Sequence, residues 1–315
     1  MLNKAPLISV AMATYDGSPY LTQQLESIFN QTYKNIELII VDDCSRDNTI
    51  QIIQQFQQRY PSITLMQNPV NAGVVKSFEK AIGMCNGEYI ALADQDDIWY
   101  LNKLQVLIEN INDNLLIHSD ATLIDQGGTV IAHSHFAAAK TCNKATFVDY
   151  LISNNVTGCT CLFPRQLVKL ALPFPKYFYS HDHYLALVAS FHGKIKLIDE
   201  PLVYYRQHAN NVIGAARPKV SQFFIECKKK ADSYSALLNL DAFRANQQIE
   251  LLRDYRLSIY HKKWCSKFNL FRLLTFKGGY KLIIYYFLLV CMPYTIAEKA
   301  YDFYVKCKYK PTVNK

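Results

Sequence analysis

Apolar and polar positions alternate in blocks along the first hundred residues. An apolar run from Leu7 to Thr14 breaks at Tyr15-Asp16-Gly17-Ser18-Pro19. From Tyr20 to Asn30, the positions Leu21, Leu25, Ile28 and Phe29 share one helical face. Ile36 to Val41 is a second run that ends in Asp42-Asp43-Cys44-Ser45. Ser45 or Asp47 is placed to cap a helix running through Ile52, Ile53 and Phe56 towards Tyr60. Ile63 to Met66 reads as a third strand and Tyr89 to Ala93 as a fourth. Between them, Asn71-Ala72-Gly73 opens a helix carrying Lys76, Phe78 and Ile82. Strands alternating with single helices predict right-handed βαβ units and a parallel α/β sheet covered on both faces. Beyond Leu115 the blocks shorten. Strands are expected at Leu116–Leu123, Thr129–Ala132, Gly158–Phe163, Ile195–Ile198 and Leu202–Tyr205, with a helix around His183 to Phe191. The pattern places one domain over residues 1–214 and a predominantly helical region over 215–315.

The chemistry sits where the apolar runs stop. Tyr89–Ala93 gives way to Asp94-Gln95-Asp96-Asp97, three carboxylates within four residues. In an open α/β sheet this is the edge at which ligands bind. Carboxylates so close repel one another unless a cation or a donor-rich loop compensates them. Hard oxygen ligands suit Mg²⁺ or Mn²⁺ carrying a substrate phosphate. The rival reading is an acidic loop capping a helix that starts near Trp99. Tyr15-Asp16, Asp42-Asp43 and, far downstream, His181-Asp182 also fall at strand ends or in adjacent loops. Three acidic strand ends in one parallel sheet converge on one edge, which favours a ligand site. Neither G-x-G-x-x-G nor G-x-x-x-x-G-K-[ST] occurs, so any phosphate must be held by metal and side chains.

Composition adds the setting. The chain has 315 residues, half of them apolar, and nine scattered cysteines without a C-x-x-C pair, which argues for reduced thiols. With no signal-peptide pattern, a cytoplasmic location is expected. The net charge of +8 is uneven. Residues 1–214 carry 15 Lys and Arg against 19 Asp and Glu, a net of −4; residues 215–315 carry 19 against 7, a net of +12. Leu282 to Ala297 is uncharged but interrupted by Pro293, too short to span a bilayer. Its tyrosines and basic surroundings suggest a helix lying on an anionic membrane, or else one packed on the catalytic domain. Nucleic acid is not an expected partner, since no recognised module accompanies the basic residues.

Three segments carry a resemblance: Ile8-Ser9-Val10-Ala11-Met12-Ala13-Thr14-Tyr15-Asp16-Gly17, Gln31 through Ser45, and Asn71-Ala72-Gly73. Over roughly residues 5–210 the chain resembles family 2 glycosyltransferases. Asp94-Gln95-Asp96-Asp97-Ile98-Trp99, with Tyr205-Arg206-Gln207-His208, is similar to their bacterial rhamnosyltransferase-like branch. The resemblance implies a GT-A fold, a nucleotide-diphosphate sugar donor and inversion at the anomeric carbon. It implies that Asp42 meets a uracil or thymine NH, that Thr14, Tyr15 and Asp16 line base and ribose, and that Lys76 faces the diphosphate. Asp94 and Gln95 fall beside the donor, and Asp96 and His208 on the divalent cation. Arg206 closes over the diphosphate, and Asp182 removes the acceptor's proton. The familiar acidic pair is here His181-Asp182, leaving one carboxylate. Asp43 is as readily a loop cap for the following helix as a ligand contact, Asp97 orients a metal-bound water or caps the Trp99 helix, and Asp120 is donor-side or satisfies loop amides. Absence of Gln-x-x-Arg-Trp argues for transfer of one sugar. The expected reaction moves rhamnose from dTDP-rhamnose to a lipid-linked or surface-glycan acceptor on the inner membrane face. Its rivals are a UDP-hexose or UDP-N-acetylhexosamine donor, and a non-catalytic sugar-nucleotide binding subunit. A nucleotidyltransferase would want a Gly-rich, basic loop after the first strand, which Thr14-Tyr15-Asp16-Gly17 lacks.

Overall fold

The computed structural model describes residues 5–139, 145–176, 178–208 and 220–261. The described parts of Met1–Asn143, Asn154–Phe174 and Ser180–Gly214 form one compact unit. Those of Lys144–Ser153, Pro175–Tyr179 and Ala215–Lys315 form another.

The first unit begins β1 (Ile8–Thr14), α1 (Leu21–Phe29), β2 (Ile36–Asp42), α2 (Thr49–Arg59), β3 (Ile63–Gln67), α3 (Val74–Met84) and β4 (Tyr89–Ala93). Strands β3-β2-β1-β4 are neighbours in that order, all parallel. The apolar runs predict this, because every residue of β1 but one is buried. Ile8, Val10, Met12, Leu38 and Ile40 meet Leu21, Leu25 and Ile28 of α1 in one core. Loop chemistry sets the helix starts. Asp47 Oδ1 accepts from Thr49 N at 3.0 Å to open α2, whereas Ser45 turns back to Asp42. Gly73 precedes α3 at φ 88°, a conformation that L side chains avoid.

The expected helix near Trp99 is not formed. Ile98–Trp99 is instead a two-residue strand, β5, antiparallel to a later strand, and α4 starts only at Lys103 (Lys103–Asn110). Then follow β6 (Leu116–Ile124), β7 (Val130–Ala132) and α5 (His135–Ala139). After α6 (Phe147–Ile152) in the second unit come β8 (Cys161–Pro164), α7 (Arg165–Ala171) and α8 (His181–His192). The two late strands of the sequence pattern are one, β9 (Ile195–Arg206), with register shifts opposite Asp120 where its Asp199-Glu200-Pro201 stretch intervenes. β8 joins the parallel layer to the rest by pairing antiparallel with both β4 and β6.

In the second unit α9 (Val220–Leu238) and α10 (Gln247–His261) pack along each other. Tyr234 Oη donates to Leu151 O at 2.5 Å, and Phe147 stacks on Phe243 at 6.1 Å. The segment around α6 thus packs with elements more than eighty residues downstream. Among the described residues no helix is long and apolar enough to cross a membrane. The Leu282–Ala297 segment and Lys262-Lys263 lie outside the described residues.

Candidate active site

Parallel pairing brings the carboxyl ends of β1, β2 and β4 together, with Thr14 opposite Asp42 and Met12 opposite Ala93. Thr14 and Asp42 are buried and joined. Thr14 Oγ1 donates to Asp42 Oδ1 at 2.9 Å, Ser45 Oγ to the same oxygen at 2.5 Å, and Ser45 N to Oδ2 at 2.9 Å. The neighbouring Asp43 accepts from Ala72 N at 2.7 Å, Gly73 N at 2.8 Å and Asn68 Nδ2 at 2.8 Å. Asp43 is therefore a cap for the loop that opens α3, rather than for the helix that follows it in sequence.

The β1 loop is held by its N–H groups. Tyr15 N donates to Gln95 Oε1 at 2.9 Å while Gln95 Nε2 donates back to Tyr15 O at 3.0 Å. Asp16 N donates to Ser45 Oγ at 2.9 Å, and the Asp16 carboxylate accepts from Arg46 N at 2.7 Å. A Cβ on Gly17 would fall 2.2 Å from Gln95 Oε1, so only glycine leaves room for this clamp. Gln95 thus ties the β4 end to the β1 loop, and Tyr15 and Asp16 remain exposed.

Beyond β4, Asp97 is fully buried. Its Oδ1 accepts from Arg206 N at 3.0 Å, and Oδ2 meets no hydrogen-bond partner among the described residues. An Asp94 oxygen, an Asp97 oxygen and Cys159 Sγ lie within 4.8 Å of one another. Burial first, then the Asp96 charge, pushes the Asp97 carboxyl up to about 7. Burial, followed by the charges of Asp97, Asp96 and Asp182, raises Asp94 well above the usual carboxylate range. Clustered carboxylates with an orphaned buried oxygen fit a hard divalent cation, which would replace the protons they otherwise hold. Cys159 does not belong in that ligand set, because burial and the neighbouring carboxylates keep its thiol protonated.

Asp96 and His208 meet directly, with His208 Nε2 at 2.8 Å from Asp96 Oδ2 and the imidazole stacked on Tyr20 at 5.0 Å. Arg206 is 2% exposed. It donates from Nε to Asp96 O at 2.8 Å, from Nη1 to Gln126 O at 3.1 Å and from Nη2 to Gln23 Oε1 at 2.9 Å. Its guanidinium also covers the Tyr20 ring. In this state Arg206 ties the acidic loop to its surroundings. Asp182 stands at the start of α8. Its Oδ1 accepts from His183 N at 2.7 Å and from the Ser180 hydroxyl, and its Oδ2 accepts from Gly158 N at 3.2 Å.

The fold thus gathers Asp94, Asp96, Asp97, Asp182, Arg206 and His208 into one region. Lys76 is not joined to it: half exposed, it pairs with Glu79 at 2.5 Å beside an open depression lined by Lys80, Leu172 and Pro173. Asp120 serves loop amides, accepting from Ala121 N at 2.7 Å, Phe136 N at 3.0 Å and the Ser134 hydroxyl. Lys103, fully buried, is the residue that sequence reasoning misses. Its Nζ donates to Cys159 O at 2.5 Å and sits 3.3 Å from the Trp99 ring centroid. The available signal is its place on the apolar stripe with Leu104, Leu107 and Ile111.

The family model for glycosyl transferase family 2 matches residues 9–170, about half of the chain. The dTDP-rhamnosyl transferase RfbG of Shigella flexneri is 33% identical over 223 residues, covering 65% of this chain and 74% of the relative. Among solved structures, S. aureus TarS residues 1–349 with UDP-GlcNAc aligns at TM-score 0.56 and 18% identity, covering 96% of this chain and 87% of that one. The Pyrobaculum calidifontis mannosyltransferase PcManGT, solved with GDP-Man and Mn²⁺, gives 0.56 and 16%, covering 99% and 89%. These neighbours are glycosyltransferases of GT-A fold, and the alignments show that fold for this chain. The chain belongs to glycosyl transferase family 2 and is a glycosyltransferase of GT-A fold.

Proposed function

We propose that the protein transfers a single sugar, with inversion, from a nucleoside-diphosphate donor to a lipid-linked or surface-glycan acceptor. The observation that carries this reading is the approach of Asp182 to the β4 acidic cluster: Asp182 Oδ2 accepts from Gly158 N at 3.2 Å, and Sγ of the next residue, Cys159, lies within 4.8 Å of Asp94 and Asp97 oxygens. In this reading one carboxylate, Asp182, serves the acceptor while the acidic cluster serves the cation and diphosphate. Single displacement needs that arrangement: a base takes the acceptor hydroxyl's proton while the nucleoside diphosphate leaves from the other face. Asp182 is assigned that proton. Its Oδ1 is committed to His183 N and Ser180, and its Oδ2 accepts the Gly158 N–H.

Mg²⁺ or Mn²⁺ would be held by Asp94, Asp96 and Asp97, with His208 beside them, and would supply charge neutralisation on the leaving diphosphate. Thr14, Tyr15, Asp16 and Asp42 form the base and ribose side, organised by Ser45 and Gln95. Lys76 meets the diphosphate only by leaving Glu79. The donor we favour is dTDP-rhamnose, supported by similarity to a protein named for that donor at 33% identity. UDP-N-acetylhexosamine is second, resting on a fold neighbour crystallised with UDP-GlcNAc. The lysines of α9 and the basic composition of residues 215–315 support residence at an anionic, cytoplasm-facing membrane surface.

A panel of dTDP-rhamnose, UDP-glucose and UDP-GlcNAc, read by nucleoside-diphosphate release with Mn²⁺ or with chelator, tests this reading. Cation-dependent release from dTDP-rhamnose above the others is expected. Equal release after chelation would remove the metal role, and no release from any donor would remove the reading itself.

A further inference from the structure

Buried ammonium groups are costly, and a neutral side chain of similar volume usually packs at lower free energy. Lys103 is nevertheless sealed inside the first unit at the first residue of α4. Two contacts of its side chain are informative. It lies against the Trp99 ring, and it donates to the carbonyl of Cys159, the central residue of the short 3₁₀ turn Gly158–Thr160. The residue before Cys159 is Gly158, whose N–H is the donor to Asp182 Oδ2 at 3.2 Å. The turn fits closely against the start of α8, since a Cβ at Gly158 would lie 3.2 Å from His181 Nε2 and 3.4 Å from Asp182 Cβ. Around the turn, Thr160 N and Thr160 Oγ1 both donate to Thr157 O, at 3.0 and 2.7 Å, and Cys161 N donates to Gly158 O. Lys103 is thus an outside tie on the turn that presents a donor to Asp182.

We propose that Lys103 is a positioning residue for the transfer step, holding the Gly158–Thr160 turn so that the Gly158 N–H fixes the oxygen of Asp182 that receives the acceptor's proton. The inference rests on the assignment of Asp182 as base. Its chain of contacts runs from Lys103 Nζ to Cys159 O, through one peptide unit to Gly158 N, and on to Asp182 Oδ2. The aromatic face of Trp99 lies against the amine from the other side, and burial draws the Lys103 amine down to about 7. Loss of the tie leaves the donor end of the sheet intact. Thr14, Asp42 and Gln95 are held by bonds in which neither Lys103 nor the turn takes part.

The test compares Lys103→Met, which keeps the length and apolar stem but removes charge and donor, with Lys103→Gln, which keeps an amide donor. In the full chain with dTDP-rhamnose and Mn²⁺, kcat for dTDP release should fall at least tenfold in the methionine variant, with donor KM within about twofold. The glutamine variant should recover part of that loss. Without any donor, hydrogen exchange should quicken in the peptide spanning residues 157–161 and stay unchanged in β1 and β2. If Lys103→Met does not fold, Lys103→Gln is read against wild type by the same two measurements. A folded variant with wild-type kcat, a donor KM that rises to account for the whole loss, or unchanged exchange at 157–161 overturns the proposal. An enzyme that turns over none of the donors defeats the assigned reaction instead, and the exchange measurement still decides whether Lys103 holds the turn.

Discussion

At the residue scale, Asp97 departs most from its reading in the sequence. A carboxylate four residues after a buried strand looks like a cap, and there is no helix at Ile98 to cap. It is drawn inside by β5 pairing with β9, which sets the Arg206 N–H against its Oδ1 and leaves Oδ2 without a hydrogen-bond partner among the described residues. The consequence is a measurable slope of stability with pH. A carboxyl raised from an ordinary value near 4 to about 7 binds a proton in the folded state that the unfolded chain has already lost. Its contribution is therefore present below about pH 4 and fades as pH rises through 7. In the presence of chelator, wild-type protein should lose melting temperature between pH 5 and 7.5, and Asp97→Asn should flatten that loss. A slope equal in both proteins would contradict the buried, proton-holding state of Asp97.

At the scale of elements, the four parallel strands and their helices are legible because they are apolar on both sides and separated by short, punctuated loops. Thr14, Asp42 and Asp94 reach one edge for that reason alone. What the pattern hides are antiparallel contacts between distant segments. β8 wedges between β4 and β6, β5 is only two residues long, and β9 carries a Pro and two acids in its middle. Arg206, at the end of β9, gathers these pieces through Asp96 O, Gln126 O and Gln23. Sequence alone reads such an arginine as a phosphate ligand, since the groups it satisfies are backbone carbonyls. Arg206→Met should destabilise the protein by roughly 2–4 kcal/mol in chemical denaturation, because several buried carbonyls lose their donor together. A loss below about 0.5 kcal/mol, the level of an ordinary surface substitution, would show that the guanidinium is not what secures the acidic loop.

At the scale of the whole molecule, α6 packs with the region of α9 and α10, so ending the chain at residue 214 would strip it of its partners. Membrane attachment is better tested in the full chain, by changing Lys228, Lys229 and Lys230 together to Gln. Flotation with phosphatidylglycerol vesicles should weaken and become less sensitive to salt. Unchanged flotation would assign the basic residues of α9 another role. The central claim remains the division of labour between a cation platform after β4 and a single base on α8. Its most direct test is dTDP release from dTDP-rhamnose by wild type and Asp182→Asn at saturating donor and Mn²⁺, with donor affinity measured alongside. The account predicts a fall in kcat of about 10²–10⁴-fold, the usual contribution of a positioned base, at unchanged affinity. Release at the wild-type rate by the asparagine variant would contradict it.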